Sequence, residues 1–165
     1  MKKGFTLLEL LAVVGILGFV LIAVTQLLGS TLAGSGKSNS LQIVKQNGQF
    51  ALSTMSRLVR LAKSVTPCSG SNLQFVVSEN NIDVIYIFQI DNQRLKKTRD
   101  AGTPVESFVT DNQVQVTDFT CNFTSGFAGT PAVVDLSLTI SKSGLSVENS
   151  VVSTTFNTSV SLRTY

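Results

Sequence analysis

The stretch FTLLELLAVVGILGFVLIAVTQLL, residues 5–28, decides how this chain is organised. It contains 24 residues, of which only Glu9 is charged. A helix rises about 1.5 Å per residue, so this stretch can cross a hydrocarbon core of about 30 Å. Lys2 and Lys3 precede it, and the next charge after Glu9 is Lys37. The positive-inside rule therefore predicts a membrane helix with a cytoplasmic N-terminus and an extracytoplasmic remainder.

Other interpretations of this stretch explain less of it. A secretory signal has an apolar region of about 7 to 15 residues, which is much shorter, although residues 31–33 read as a weak cleavage site. A plain membrane anchor explains the length but leaves Glu9 unexplained, because a charge at the bilayer centre costs about 2.5 to 3.5 kcal/mol. Glu9 lies near the cytoplasmic end, where the cost is smaller and its side chain can instead reach the interface.

The residues around Glu9 form a specific motif, in which basic residues, a glycine and a phenylalanine precede a glutamate and an unbroken apolar helix. The sequence from Lys2 to Leu11 resembles the class III signal of type IV pilins and type II secretion pseudopilins. This resemblance implies that a prepilin peptidase cuts between Gly4 and Phe5 and methylates the new amine of Phe5. It also implies assembly with other pilins or pseudopilins on an inner-membrane platform driven by a separate ATPase.

Such processing gives Glu9 a partner. The amine of Phe5 remains cationic if its pKa is that of an ordinary α-amino group. In a bundle of apolar helices it can neutralise Glu9 of a neighbouring subunit, and the pair would set the axial register. Gly15 and Gly18 allow close helix approach and are candidates for a packing face.

The next segment, residues 29–40, is rich in Gly and Ser and has the composition of a flexible linker. An amphipathic helix over about 41–64 follows, predicted from helically spaced apolar residues, and Pro67 is a stop signal. In the pilin family the two helical parts form one long helix packed on a sheet. We therefore expect residues 29–40 to belong to one continuous, bendable helix.

Beyond Pro67 the pattern favours β-structure. Turns are predicted at Asp91-Asn92 and Lys142-Ser143-Gly144. Strands are predicted at 73–77, 84–90, 94–98, 113–122, 133–140 and 151–162. We therefore predict an α+β fold, a long N-terminal helix on an antiparallel sheet, with the β-rich region over about 73–163. The expected organisation is a leader at 1–4, a transmembrane helix at 5–28 and an extracytoplasmic domain at 29–165.

Two segments carry a weaker resemblance within the same family. Residues 85–95 and 157–163 are similar to parts of larger minor pilins and J-type pseudopilins. Many major pilins have a proline near the position of Gln26; this chain lacks it, which argues against a local melting of the helix there. The expected subtype is a minor pilin or a J-type pseudopilin.

The composition argues against an enzyme. The chain has no histidine, so the commonest general base and the commonest transition-metal ligand are missing. No phosphate-binding glycine loop, GxSxG elbow or calcium loop is present. We expect no catalytic residue, cofactor or metal site. Cys68 and Cys121 are 53 residues apart, which suits neither a zinc site nor a CxxC motif, and they are either one disulfide or two separate buried thiols.

The positive charge of the chain does not require a nucleic-acid partner. The formal net charge is +3, and removal of Lys2 and Lys3 would leave +1. The basic residues of 94–99 alternate between the two faces of a predicted strand, which argues against one phosphate-binding patch. We expect a structural filament subunit that leaves the membrane for a pilus or pseudopilus. The alternative is a membrane-anchored extracytoplasmic binding module that does not assemble.

Overall fold

The computed structural model describes residues 6–127, 130–143 and 152–162. Within them, one long helix is followed by nine strands that pair only antiparallel. The predicted α+β class is confirmed. The elements are α1 (Leu7–Arg60), β1 (Ala62–Val65), β2 (Ser69–Gly70), β3 (Asn72–Glu79), β4 (Ile82–Asp91), β5 (Arg94–Asp100), β6 (Pro104–Phe108), β7 (Val114–Thr124), β8 (Val133–Lys142) and β9 (Ser153–Ser161).

Helix α1 runs through residues 29–40, so the Gly/Ser-rich composition of this segment does not break the helix. The helix ends at Arg60, four residues before the predicted end. The following residues instead form β1, in which Ala62 pairs with Val77 and Val65 with Phe75. Tertiary strand pairing therefore overrides the helical periodicity at this end. The chain divides into two compact units, 1–39 and 40–165.

The strands form two sheets. The first has the order β1-β3-β4-β5-β6, and the second has the order β2-β7-β8-β9. Two-residue turns join β3 to β4 and β4 to β5, and Asn80, Asn81, Asn92 and Gln93 all have positive φ angles. Two positive φ angles define the type I′ turn, whose twist matches antiparallel strands. The turn between β4 and β5 is formed by Asn92 and Gln93, one residue beyond the predicted Asp91-Asn92.

The core of the second unit joins one face of the helix to both sheets. The buried helix residues recur at helical spacing, as the sequence predicted, and include Val44, Gly48, Ala51, Leu52, Met55 and Val59. In β7 the pairing register shifts between Val116 and Asp118. This bulge interrupts the alternation of buried and exposed side chains along β7. Val116 and Phe119 are therefore both buried, although residues three apart in a regular strand face opposite sides.

Some predicted features fall outside the described residues. Gly4, Phe5 and Gly144 are among them, as is Arg163 at the end of the second pilin-like segment. Strands β1, β2 and β6 were not predicted. All five residues of β6 are exposed, so it has no apolar alternation by which the sequence could reveal it.

Candidate functional site

The N-terminus of α1 positions Glu9. The helix begins at Leu7, and the backbone N–H of Glu9 donates to Oγ1 of Thr6 at 3.3 Å. Thr6 is therefore the N-cap, and Glu9 stands at the third helical position, the order of a capping box. The helix dipole favours a carboxylate in this first turn. Glu9 thus has a local reason to be present that the sequence analysis did not consider.

The carboxylate of Glu9 has no hydrogen bond or ion pair among the described residues, and its side chain is exposed. Gly4 and Phe5, the predicted cleavage site, lie outside those residues. The cleavage and the pairing of Glu9 therefore stay predictions.

The first unit exposes a long apolar surface. The most apolar part of α1 has none of its residues buried, and by length and composition it can cross a membrane. Leu7, Leu8 and Phe19 are 82%, 80% and 75% exposed. Leaving one large apolar side chain in water forgoes about 1.5 to 3 kcal/mol. This surface must be covered by lipid or by other protein.

The hydroxyl of Thr25 within this apolar helix is satisfied locally. Oγ1 of Thr25 donates to the carbonyl oxygens of Ile22 (2.8 Å) and Leu21 (3.1 Å), as hydroxyls in apolar helices often do. At Gly15 and Gly18, no atom other than the neighbouring helix residues' own lies within 4 Å of where a Cβ would stand. Both glycines therefore leave open surface for another helix.

In the second unit, Cys68 and Cys121 form a disulfide with a Cα–Cα distance of 5.7 Å. Cys68 precedes β2, Cys121 lies in β7, and both residues are buried. The bond links the start of the β-rich region to the middle of the second sheet.

A polar triad spans the first sheet. The hydroxyl of Tyr86 donates to Oε1 of Glu79, and Nη2 of Arg99 donates to Oε2, both at 2.6 Å. The hydrogen bond from Tyr86, and after it that from Arg99, lowers the pKa of Glu79. Burial, and after it the hydrogen bond to Glu79, raises the pKa of Tyr86. These bonds satisfy the Glu79 carboxylate on both oxygens, which fits a structural role.

The basic residues of β5 make internal contacts. Nε and Nη2 of Arg94 donate to the carbonyl oxygen of Thr110 at 3.2 and 2.8 Å, and the guanidinium lies 4.0 Å from the ring centroid of Phe108. Lys96 pairs with Asp91 (3.1 Å) and Glu106 (3.3 Å). Together with the Glu79 contact of Arg99, these interactions involve three of the four basic side chains of β5.

The described residues contain no cluster of three or more His, Cys, Asp or Glu side chains that could hold a metal ion. Against known proteins, the family model for the prokaryotic N-terminal methylation motif matches residues 1–25. No curated protein and no solved structure matches the chain.

Proposed function

We propose that this chain, a type IV pilin-like or pseudopilin-like protein with the prokaryotic N-terminal methylation motif, is a structural subunit of an extracytoplasmic filament. The observation that carries the proposal is the apolar part of α1, which overlaps that motif and has none of its residues buried. An anchor needs such a surface only while it lies in lipid. A filament subunit needs it twice, first in the bilayer and then in the helical core of the filament.

Processing prepares the helix for assembly. A prepilin peptidase cuts between Gly4 and Phe5 and methylates the amine of Phe5. That amine then neutralises Glu9 of a neighbouring subunit in the apolar bundle, where an unpaired carboxylate would be costly. Glu9 thereby fixes the axial position of each subunit against the next.

The chain is anchored in the membrane by its apolar helix. We place Lys2 and Lys3 in the cytoplasm and the second unit outside, following the positive-inside rule. The disulfide between Cys68 and Cys121 suits an oxidising compartment. An inner-membrane platform with its own ATPase would move the subunit from lipid into the filament, because this chain has no nucleotide-binding motif.

We assign the subunit to the minor pilins or J-type pseudopilins. Residues 85–95, in the paired strands β4 and β5, carry the resemblance that supports this subtype. The role is structural and needs no catalytic residue, cofactor or metal.

A membrane-anchored binding module that does not assemble is the second candidate, and one observation favours it. Glu9 lies in the first turn of α1, where the helix dipole favours a carboxylate without any neighbouring subunit. Only the filament subunit needs the charge of Glu9 for a contact with another chain.

Glu9→Gln tests the pairing, because glutamine is close to glutamate in size and can form hydrogen bonds but carries no charge. If Glu9 pairs with Phe5, the variant is processed and membrane-inserted like the wild type but is absent from sheared filaments. Thr6→Ala is the matched control, since it removes the cap and keeps the charge, and it should still assemble. Normal incorporation of Glu9→Gln would contradict the pairing, whereas absence of the wild-type chain itself from filaments would favour the binding module.

A further inference from the structure

Gln26 is a polar side chain within the apolar part of α1. It lies 17 residues after Glu9, which corresponds to about 26 Å along the helix axis. The positive-inside rule places Glu9 near the cytoplasmic boundary, so Gln26 lies within a hydrocarbon core of about 30 Å. Lipid tails are therefore the main surroundings of the Gln26 side chain in the membrane.

The amide of Gln26 has no partner within its own helix. The side chain is exposed, and it makes no hydrogen bond to another described residue. The neighbouring hydroxyls differ, because Oγ1 of Thr25 donates to the carbonyl oxygen of Ile22 at 2.8 Å. Oγ1 of Thr31 likewise donates to the carbonyl oxygen four residues before it. An amide has two N–H donors and an acceptor oxygen, and leaving them unpaired in lipid is costly. A partner from outside α1 is therefore expected.

The helix face around Gln26 allows another helix to come close. With 3.6 residues per turn, Gly15, Ile22 and Gly29 all lie within about 60° of Gln26 around the helix axis. At both glycines, only atoms of the neighbouring helix residues lie within 4 Å of where a Cβ would stand. Small residues let two membrane helices approach closely, and a side-chain hydrogen bond between the helices then has less distance to span.

The bilayer determines which residue of a second copy meets Gln26. Two copies insert in the same direction, because the same basic N-terminus orients both of them. Their helices are therefore parallel and cross at the same depth, which places Gln26 of one copy level with Gln26 of the other. An amide is complementary to itself, since its N–H donates and its oxygen accepts. No charge opposes this contact, because residues 10–36 contain none.

A filament would separate the two glutamines. Subunits of a helical filament follow one another along its axis, so the helices of neighbours are displaced and equal residues no longer lie level. The contact between two Gln26 side chains therefore belongs to the subunit while it is held in the membrane.

We propose that the Gln26 amides of two membrane-anchored copies hydrogen-bond to each other and pair the two α1 helices. The second copy is the occupant of the Gln26 face. This inference rests on the membrane anchor and not on filament assembly, and it adds a contact that precedes assembly.

Cysteine crosslinking of the full-length chain in membranes of its own host tests the contact. Ile22→Cys and Gly29→Cys lie on the Gln26 face, whereas Val24→Cys and Leu28→Cys lie about 160° away from Gln26 and are the matched controls. The two native cysteines are already joined in a disulfide. A mild oxidant should give about threefold more homodimer from each variant of the Gln26 face than from either control. Equal crosslinking on both faces, no homodimer, or products that contain a different protein would overturn the proposal.

Replacement of the amide provides a second test. In the Ile22→Cys chain, Gln26→Leu should lower the homodimer fraction by about three- to tenfold, because it removes the hydrogen bond between the helices. Gln26→Asn should retain most of the homodimer, since it keeps an amide. Thr25→Val is the matched control and should leave the homodimer unchanged, because the Thr25 hydroxyl is already bonded within its own helix. Unchanged crosslinking of Gln26→Leu would overturn the role of the amide.

The results also separate this contact from the filament function. Glu9→Gln, which should stay out of filaments, should still form the Ile22→Cys homodimer in the membrane. Loss of the homodimer in Glu9→Gln, or its recovery from sheared filaments, would overturn a pairing that precedes assembly. A wild-type chain that never enters a filament would overturn the proposed function, while the crosslinking still decides the pairing.

Discussion

The ring of Phe156 in β9 lies against Gly48 of α1, at the place where a Cβ atom of residue 48 would stand. Glycine in a helix interior costs about 1 kcal/mol relative to alanine, so its presence here reflects packing against the ring. Gly48→Ala should lower the free energy of unfolding by about 1 to 3 kcal/mol, because the added methyl group overpacks this contact. Scanning calorimetry of the detergent-solubilised chain measures the change.

Gly34→Ala is the control for this prediction. No atom lies within 4 Å of the Cβ position at Gly34, which is also in α1. Alanine there should be neutral or stabilising, because only helix propensity changes. If Gly48→Ala and Gly34→Ala have the same free energy of unfolding, the ring of Phe156 does not pack closely against Gly48.

Glu79 should make the stability of the second unit depend on pH. Its pKa is held below the ordinary value of 4.5, first by the hydrogen bond from Tyr86 and then by that from Arg99. A carboxyl group with a lowered pKa in the folded state stabilises the fold above its unfolded pKa, and this contribution is lost as the pH falls through the folded pKa.

Glu79→Gln should therefore have a lower Tm than the wild type at neutral pH, and the two values should converge as the pH falls below 4.5. Thermal unfolding across this pH range provides the measurement. Asp118→Asn, at an exposed carboxyl without an ion pair among the described residues, is the matched control, because it removes a carboxyl and keeps the bonds of Glu79 to Tyr86 and Arg99. A Tm difference for Glu79→Gln that is the same at every pH would argue against the lowered pKa.

The turn between β4 and β5 offers a stabilising substitution. Gln93 has a φ of 59°, a conformation that costs an ordinary L-residue roughly 1 to 2 kcal/mol. Gln93→Gly creates an Asn-Gly pair, the preferred sequence for this turn type, and should raise the free energy of unfolding by about 0.5 to 1 kcal/mol. Gln93→Val should lower it. If chemical denaturation gives the reverse order, Gln93 does not occupy this conformation in solution.

The disulfide should contribute to stability. It joins residues 53 apart, and in the chain-entropy model a loop of this length is worth about 4 kcal/mol. The double variant Cys68→Ser/Cys121→Ser should therefore unfold at a lower temperature, and reduction of the wild type should shift it towards the variant. If both cysteines of non-reduced protein react with an alkylating agent, as detected by mass spectrometry, the bond is absent.

Local patterns predicted most of the fold. Helical spacing predicted the buried face of α1. Strand-like stretches and the turns between them predicted the six longest strands, because these signals lie close together in sequence. Strand β1 was mistaken for the end of the helix, since its pairing with β3 depends on residues further along the chain. Strand β6 was missed because all its residues are exposed.

The candidate site was predicted in part. The motif around Glu9 is contiguous in sequence, so it was recognised directly. The capping bond to Thr6 was not predicted, although the sequence Thr-x-x-Glu is a signature for it. Phe50 and Phe108 border one open depression, which could not be predicted because the two residues are far apart in sequence.

The central claim is that this chain is processed as a prepilin, and the most direct test is N-terminal peptide analysis of protein isolated from membranes of its own host. The account predicts a mature chain that begins at N-methylated Phe5. A chain that still begins at Met1, or one cut near Ala33, would contradict it and leave a membrane-anchored or secreted binding domain in its place.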